Sequence, residues 1–312
     1  MREHGLAYLM AALLWLQPAT ASAQVSCNLP QAGPLGVAGR SALVEPPGSG
    51  WVYVTVARLD TRDVFSPQAA RQPYFSDGRL TGVPVSATAV VGVVEGLDAW
   101  AQVPFHALTY TEASGERSGS GVGDPRFFLR AGPSLVGIDP ATLPIALALR
   151  AGVKLPGKVF PLDAEIIPVS EGQRDWEAAV ELGRAFQRVP VYVIGWLGYR
   201  WRERNERADR DPGNERFAHV GVGGDAGLMT WRFAVQGLWG SAHTVEGVRL
   251  ESARRQVLEI VPMIGRRMGP GELNFSVRRA LSGRNLPAGT SLSLGYFVAW
   301  TRAPTPEPPV PR

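Results

Sequence analysis

The segment Ser291–Trp300 alternates strictly. Leu292, Leu294, Tyr296, Val298 and Trp300 share one face, and Ser291, Ser293, Gly295, Phe297 and Ala299 share the other. Val191–Arg202 does the same, setting Val191, Val193, Gly195, Leu197, Tyr199 and Trp201 against Tyr192, Ile194, Trp196, Gly198, Arg200 and Arg202. Side chains alternate across a strand, so each segment has one apolar face and one small or polar face. The unit recurs along the chain, split each time by turn-forming residues. It predicts about twelve strands: Trp51–Asp60, Val83–Val94, Ala99–Tyr110, Asp124–Gly132, Leu143–Leu155, Arg174–Phe186, Val191–Arg202, Phe217–Leu228, Trp231–Gly240, Arg254–Arg267, Glu272–Ala280 and Thr290–Trp300. Tilted strands of this length cross a hydrocarbon layer.

The predicted connections alternate in length. Thr61–Gly82, Thr111–Gly123, Pro156–Gln173, Glu203–Arg216, Ser241–Ala253 and Leu281–Gly289 are long; Glu95–Asp98, Pro133–Thr142, Gln187–Pro190, Met229–Thr230 and Met268–Gly271 are short. Long outer loops and short periplasmic turns are the habit of transmembrane barrels, and an even strand count returns both ends to the periplasmic side. The fold class expected is all-β, a transmembrane antiparallel β-barrel of about twelve strands. Trp231 and Trp239 share a face at opposite ends of one strand, about 26 Å apart at the rise of an extended chain. That spacing matches the apolar band of such barrels. Trp176 and Phe186 bracket the sixth strand, and Trp201 and Trp300 also stand at strand ends. These six predict an aromatic girdle; the competing reading makes them core aromatics of a soluble fold.

If the apolar faces meet lipid, the opposite faces define the lumen. They carry Arg126, Arg130, Arg150, Lys154, Glu177, Glu181, Arg200, Arg202, His219, Asp225, Arg232, Gln236, Glu259, Asn274 and Arg278. An Arg or Lys facing the hydrocarbon midplane costs about 2–4 kcal/mol, which turns these charges inward. Two readings stay open. The arginines line a polar channel that draws anionic solutes, or an Arg–Glu network fills a narrow barrel and holds it shut. On strand three, Pro104 and His106 fall on the predicted inner face. For strand two the face is ambiguous, because Val90 and Val94 oppose an equally apolar Ala87, Ala89, Val91 and Val93.

The chain begins with a predicted signal peptide, residues 1–23. Arg2 is followed by an apolar run too short for a membrane anchor and by Ala21-Ser22-Ala23, which places cleavage near Ala23. Residues 24–50 form a Gly/Pro/Ala-rich leader that enters or skirts the barrel, residues 51–300 the barrel, and 301–312 a Pro-rich periplasmic tail that cannot join a sheet. Cys27 is the single cysteine, so no internal disulfide forms. The net charge of +4 comes without a basic run interleaved with aromatics, which argues against nucleic-acid binding. No His/Cys cluster has metal-ligand spacing, and no cofactor is expected. Gly221-x-Gly223-Gly224 lies within a strand pattern and reads as close backbone packing. A lipid hydrolase would need a His–Ser pair near the outer rim; His219 points inward by parity, and His243 with Ser241 is a thin basis for one.

Several short motifs add a resemblance. Ser120-Gly121-Val122-Gly123-Asp124-Pro125 followed by Phe127–Gly132, Ala151-Gly152-Val153-Lys154-Leu155-Pro156-Gly157, Gly172-Gln173 with Asp175, and Leu197-Gly198-Tyr199-Arg200 resemble the strand starts and ends of the MetA-pathway of phenol degradation family. The resemblance spans roughly residues 50–300. It implies an outer-membrane β-barrel transporter of the Gram-negative type, passage of small, often aromatic, compounds, and no catalytic residues. Gly295-x-x-Val298-x-Trp300 resembles the terminal signal read by the outer-membrane insertion machinery, with Leu294 where a polar residue is usual and the chain continuing past Trp300.

The functional expectation is an outer-membrane channel for small organic, aromatic or hydrophobic solutes, whose partners are outer-membrane lipid, the solute and the insertion machinery. A closed structural or assembly barrel is the alternative, and a lipid hydrolase barrel the third.

Overall fold

A computed structural model describes residues 43–163, 166–186 and 189–301. The signal peptide, most of the leader and nearly all of the Pro-rich tail fall outside these residues. Twelve antiparallel strands close into a ring: β1 (Gly50–Thr61), β2 (Val85–Val94), β3 (Leu97–Glu112), β4 (Arg126–Ala131), β5 (Ala146–Lys154), β6 (Asp175–Phe186), β7 (Val191–Arg202), β8 (Glu215–Ala226), β9 (Met229–Gly240), β10 (Gln256–Met268), β11 (Gly271–Arg284) and β12 (Thr290–Trp300). The ring closes by pairing β1 with β12, from Gly50 opposite Trp300 to Asp60 opposite Thr290. Two further strands, Arg79–Gly82 and Gly115–Val122, lengthen the wall beside β3. In hydrocarbon a sheet edge would leave amide groups unpaired, and closure removes both edges.

Parity sorts the residues as the alternation predicts. Val52, Val54 and Val56 of β1, Leu129, Leu149, Val180, Leu197, Val220, Phe233, Ile264, Leu292 and Leu294 all face outward and exposed. The outward arginines Arg58, Arg184, Arg216 and Arg266 sit at strand ends, where the headgroup region begins. Trp176, Trp201 and Trp239 lie exposed at one rim, and Phe186, Trp231 and Trp300 at the other. Trp176 and Trp201 are direct cross-strand neighbours, and the Trp176 indole donates to Glu203 just beyond the strand.

Several boundaries differ from the alternation. The fourth connection, predicted short, runs from Gly132 to Ile145 and contains two 3-10 turns, Pro133–Val136 and Pro140–Thr142. The last loop shrinks to Asn285–Gly289, because β11 runs on through a bulge. Leu258 faces Ser282 whereas Glu259 faces Ala280, so Leu281 is the extra residue. A bulge resets parity; it lets Ala280 and Gly283 both lie buried. The long/short alternation is therefore not strict. The predicted loop Thr111–Gly123 is mostly the strand Gly115–Val122, and Thr61–Gly82 folds into short strands, one of them paired with Leu286–Pro287. In Glu203–Arg216, expected as a long connection, Arg210–Asp211 joins His243–Val245 and Val248–Leu250 in a small sheet. The inner face of β2 is Ser86, Thr88, Val90 and Gly92, which settles the ambiguous strand.

Pro104 lies mid-strand, where an absent N–H normally breaks a ladder. It sits where β3 exchanges one neighbour for another: Gln102 pairs with Arg126 of β4, and Phe105 with Val122 of the lengthening strand. The Gly123 N–H donates to its carbonyl at 2.9 Å. Gly223 is needed for close approach, since a Cβ there would lie 2.3 Å from the Tyr192 hydroxyl.

The lipid-facing assignment has a direct test. Leu197, mid-β7 between Val180 and Ala218, is 65% exposed. Leu197→Arg is expected to destabilise the folded barrel in lipid by about 2–4 kcal/mol, measured by denaturant unfolding in vesicles, whereas Leu197→Ile stays near the parent value.

Candidate functional site

The interior divides into three regions. At the loop end of β4–β8, inward side chains of alternate residues meet. Lys154 Nζ lies 3.2 Å from Asp124, 2.6 Å from Glu171 and 2.7 Å from Asp175. Arg202 reaches Glu171 at 2.6 Å and Glu215 at 3.0 Å. Arg200 reaches Glu177 at 2.8 Å and Glu215 at 2.6 Å, and Arg126 lies 3.4 Å from Glu177. Arg255, just before β10, closes the group at 2.8 Å from Glu171 and 2.6 Å from Glu215. All are buried. Away from water such charges persist only if paired and hydrogen-bonded, and here each has an opposite charge within reach.

Asp124 explains the sequence motifs. Its carboxylate accepts from the Gly157 N–H at 3.1 Å, the Glu171 N–H at 3.0 Å and the Ser170 hydroxyl, so one side chain holds both ends of the β5–β6 connection. The Gly-Asp-Pro, Lys-Leu-Pro-Gly, Gly-Gln-x-Asp and Gly-Tyr-Arg motifs thus meet in one cluster: Asp124, Lys154, Gly157, Asp175 and Arg200 come from four separate segments of chain.

Toward the turn end a second group forms. Arg130 lies 2.6 Å from Asp98 and 3.2 Å from Glu181, and Arg150 lies 2.7 Å from Glu181. Both guanidinium groups lie over the Trp100 ring, at 5.0 and 5.6 Å. The described end of the leader enters here: Arg130 donates to the Leu43 carbonyl at 3.0 Å, and the Glu45 N–H donates to Asp98 at 3.0 Å. Beside it Trp51, Tyr53, Val90, Trp100, Phe128 and Phe297 form a buried apolar cluster.

Between these groups, against β1–β3 and β8–β12, lies a cavity of about 80 Å³. Thr55, Ser86, Ser276, Ser291 and Ser293 give it a hydroxyl wall, with Gln102, His106, His219, Arg232, Gln236 and Arg278 around it. Thr55 and Ser86 share a hydrogen bond at 3.1 Å, and Ser276 and Ser293 one at 2.9 Å. Gln236 donates to Glu259 at 2.8 Å, Arg278 lies 3.9 Å from the same carboxylate, and Tyr53 donates to Asn274 at 2.8 Å. His219 stacks on Trp196 with ring centres 3.7 Å apart.

Of the predicted inner residues, Arg126, Arg130, Arg150, Lys154, Glu177, Glu181, Arg200, Arg202, His219, Arg232, Gln236, Glu259 and Asn274 are buried, and Arg278 is half-buried at the cavity. Asp225 departs from the expectation. It keeps the inward parity of β8, opposite the buried Thr230, but it lies one residue from the strand's turn end, partly exposed and 3.3 Å from Arg267. The alternation missed Asp98, Asp124, Glu171, Asp175, Glu215 and Arg255. Asp175 shares parity with Glu177 and could have been found. Arg255 likewise shares parity with Glu259, whereas Glu171 belongs to a connection, Glu215 fell in the predicted loop Glu203–Arg216 and Asp98 in the predicted turn Glu95–Asp98.

No family model and no curated protein matches the chain. Among solved structures it is similar to the COG4313 outer membrane channel from Pseudomonas putida F1, at 15% identity and a TM-score of 0.70, over 86% of this chain and all 100% of that one. Weaker likenesses are to the translocator domain of autotransporter NalP from Neisseria meningitidis, at 10% identity and TM-score 0.41 over 82% of this chain and 89% of that one, and to the NanC porin, at 12% identity and TM-score 0.42 over 78% and 98%. The first likeness shows the fold, that of an outer-membrane β-barrel.

Two groups outside the spanning strands set a pH dependence. Burial raises the Glu171 carboxyl, but Arg202, Lys154 and Arg255 outweigh it and hold it well below the usual carboxylate range. Burial, followed by Arg255, Arg202 and Arg210, lowers His243 to about 3. A depressed Glu171 contributes stability above its unfolded value and loses it as pH falls through the folded one. His243 is held neutral, so the opened state takes up a proton as pH falls below its unfolded value of about 6.5. Both weaken the loop end in acid. Amide protection at 167–173 and 241–245 is expected to fall from pH 6.5 toward pH 4 by up to about tenfold per pH unit, read by hydrogen exchange. His243→Gln should remove the component between pH 6.5 and 4.

Proposed function

We propose that the protein is an outer-membrane channel passing small organic solutes along the hydroxyl-lined side of its lumen. The observation that carries this reading is the cavity lined by Thr55, Ser86, Ser291 and Ser293 together with Arg232 and Arg278. Short hydroxyl side chains leave space and exchange hydrogen bonds with a passing polar group, while the arginines favour a solute bearing negative charge. The covers at the two ends are the leader residues near Leu43 and Glu45 and the loop residue Glu171, contributed by connecting segments and not by the barrel wall. The likeness to a channel over the full length of that chain supports the reading. The resemblance of the short motifs supports aromatic compounds as the solute class. Transport is favoured over lipid hydrolysis because His219 stacks inside the barrel and the Ser241 hydroxyl donates to the Asn214 carbonyl.

A second reading, a closed barrel with a structural or assembly role, is favoured by the ion-pair network, in which Arg150, Arg200 and Glu181 pair with their neighbours on the wall. Conductance separates the two. Purified protein in planar bilayers is expected to give discrete current steps. Ser291→Trp should reduce them severalfold by filling the cavity, and Ser291→Ala should leave them unchanged. Silence at all voltages sinks the channel reading.

A further inference from the structure

We propose that Lys154, Arg202 and Arg255 form a binding site for the carboxylate of an organic anion, and that the chain's own Glu171 occupies it in this structure. The proposal rests on the channel reading for its purpose, but the site is defined by its own geometry. Both carboxylate oxygens of Glu171 are held: Oε2 lies 2.6 Å from Lys154 Nζ and 2.6 Å from Arg202 Nη2, and Oε1 lies 2.8 Å from Arg255 Nη1. Three cations from β5, β7 and the lead-in to β10 thus grip one carboxylate as they would grip that of a ligand.

Glu171 differs from the other acids beside it. Asp175, Glu177 and Glu215 belong to barrel strands, whereas Glu171 arrives from the β5–β6 connection with its backbone N–H on Asp124. The charges also single it out. Arg126, Lys154, Arg200, Arg202 and Arg255 face Asp124, Glu171, Asp175, Glu177 and Glu215, five against five. With Glu171 withdrawn, five cations face four acids. A buried excess of positive charge is unfavourable, so the vacated position requires an anion.

Arg200, which shares Glu215 with Arg202 and Arg255, carries the network toward an apolar cluster. Phe217 lies below Arg200, at 5.8 Å from the guanidinium, and packs in one buried cluster with Leu238 and Val257. A carboxylate can replace that of Glu171 among these cations; a neutral alcohol of the same shape cannot. Entry of such a solute exchanges one carboxylate for another and breaks no covalent bond. It releases Glu171 from its position across the loop end.

Calorimetry on detergent-solubilised barrel tests the site apart from transport, with benzoate as probe and benzyl alcohol as neutral control. Glu171→Gln is expected to bind benzoate about tenfold or more tightly than the parent, because the competing internal carboxylate is gone and the competent fraction rises. Adding Arg255→Met to that variant should abolish the gain, and benzyl alcohol should bind neither. Equal benzoate affinity in the parent and Glu171→Gln, or equal binding of benzyl alcohol, overturns the proposal. Should Glu171→Gln fail to insert, the parent reports the same exchange: benzoate should lower amide protection at 170–173 and benzyl alcohol should not, and unchanged protection overturns it. Bilayer recordings with the two probes separate the outcomes. Benzoate binding without current leaves the site and removes the channel; current that ignores benzoate, with no binding, removes the site alone.

Discussion

In a hydrocarbon layer every backbone amide must find its partner within the protein, and this requirement organises the whole molecule. It forces the sheet into a ring, joined where Gly50–Asp60 pairs with Thr290–Trp300. Once the ring is closed, alternation along each strand becomes a sorting rule between oil and interior. Leu292, Leu294 and Val298 on one side and Ser291, Ser293 and Phe297 on the other are that rule in its plainest form. The interior then inherits most of the ionised side chains of the spanning strands. In that poorly screened space the charges are obliged to find one another.

They do so unevenly around the ring. The arc from β4 to β8 is cross-linked by Arg–Glu and Lys–Asp pairs whose breakage would strand a buried charge, at a cost of about 3–5 kcal/mol each. The opposite arc sets Arg232 and Arg278 among serines and threonines, whose short neutral side chains need less compensation and leave room. One half of the lumen is therefore a rigid brace and the other a place where a guest can lie.

The ring, its strand number and most of its inner and outer faces were legible in the sequence because period two is a local property. Val191–Arg202 and Thr290–Trp300 emerge with their predicted bounds. Trp176 and Trp201 stand at a rim because amphipathic rings at strand ends need no distant contact to be recognised. What escaped depends on tertiary proximity. Leu281 is a bulge only in relation to Leu258 and Glu259 on the next strand. Glu171 carries no periodic mark, and its importance comes from residues 17, 31 and 84 positions away. Asp124 was visible within a short motif, but that its oxygens fasten Gly157 and Glu171 could not be read from spacing.

The Trp51 and Trp100 rings meet edge to face at 5.2 Å, and Phe297 lies 5.7 Å from Trp51. Trp51 belongs to the first strand, Trp100 to the third and Phe297 to the last. An insertion intermediate whose opening strand has not yet met its final one can hold only part of this trio. The aromatic contact is thus an internal record of completed assembly: the seam and the packed cluster beside it form in the same event.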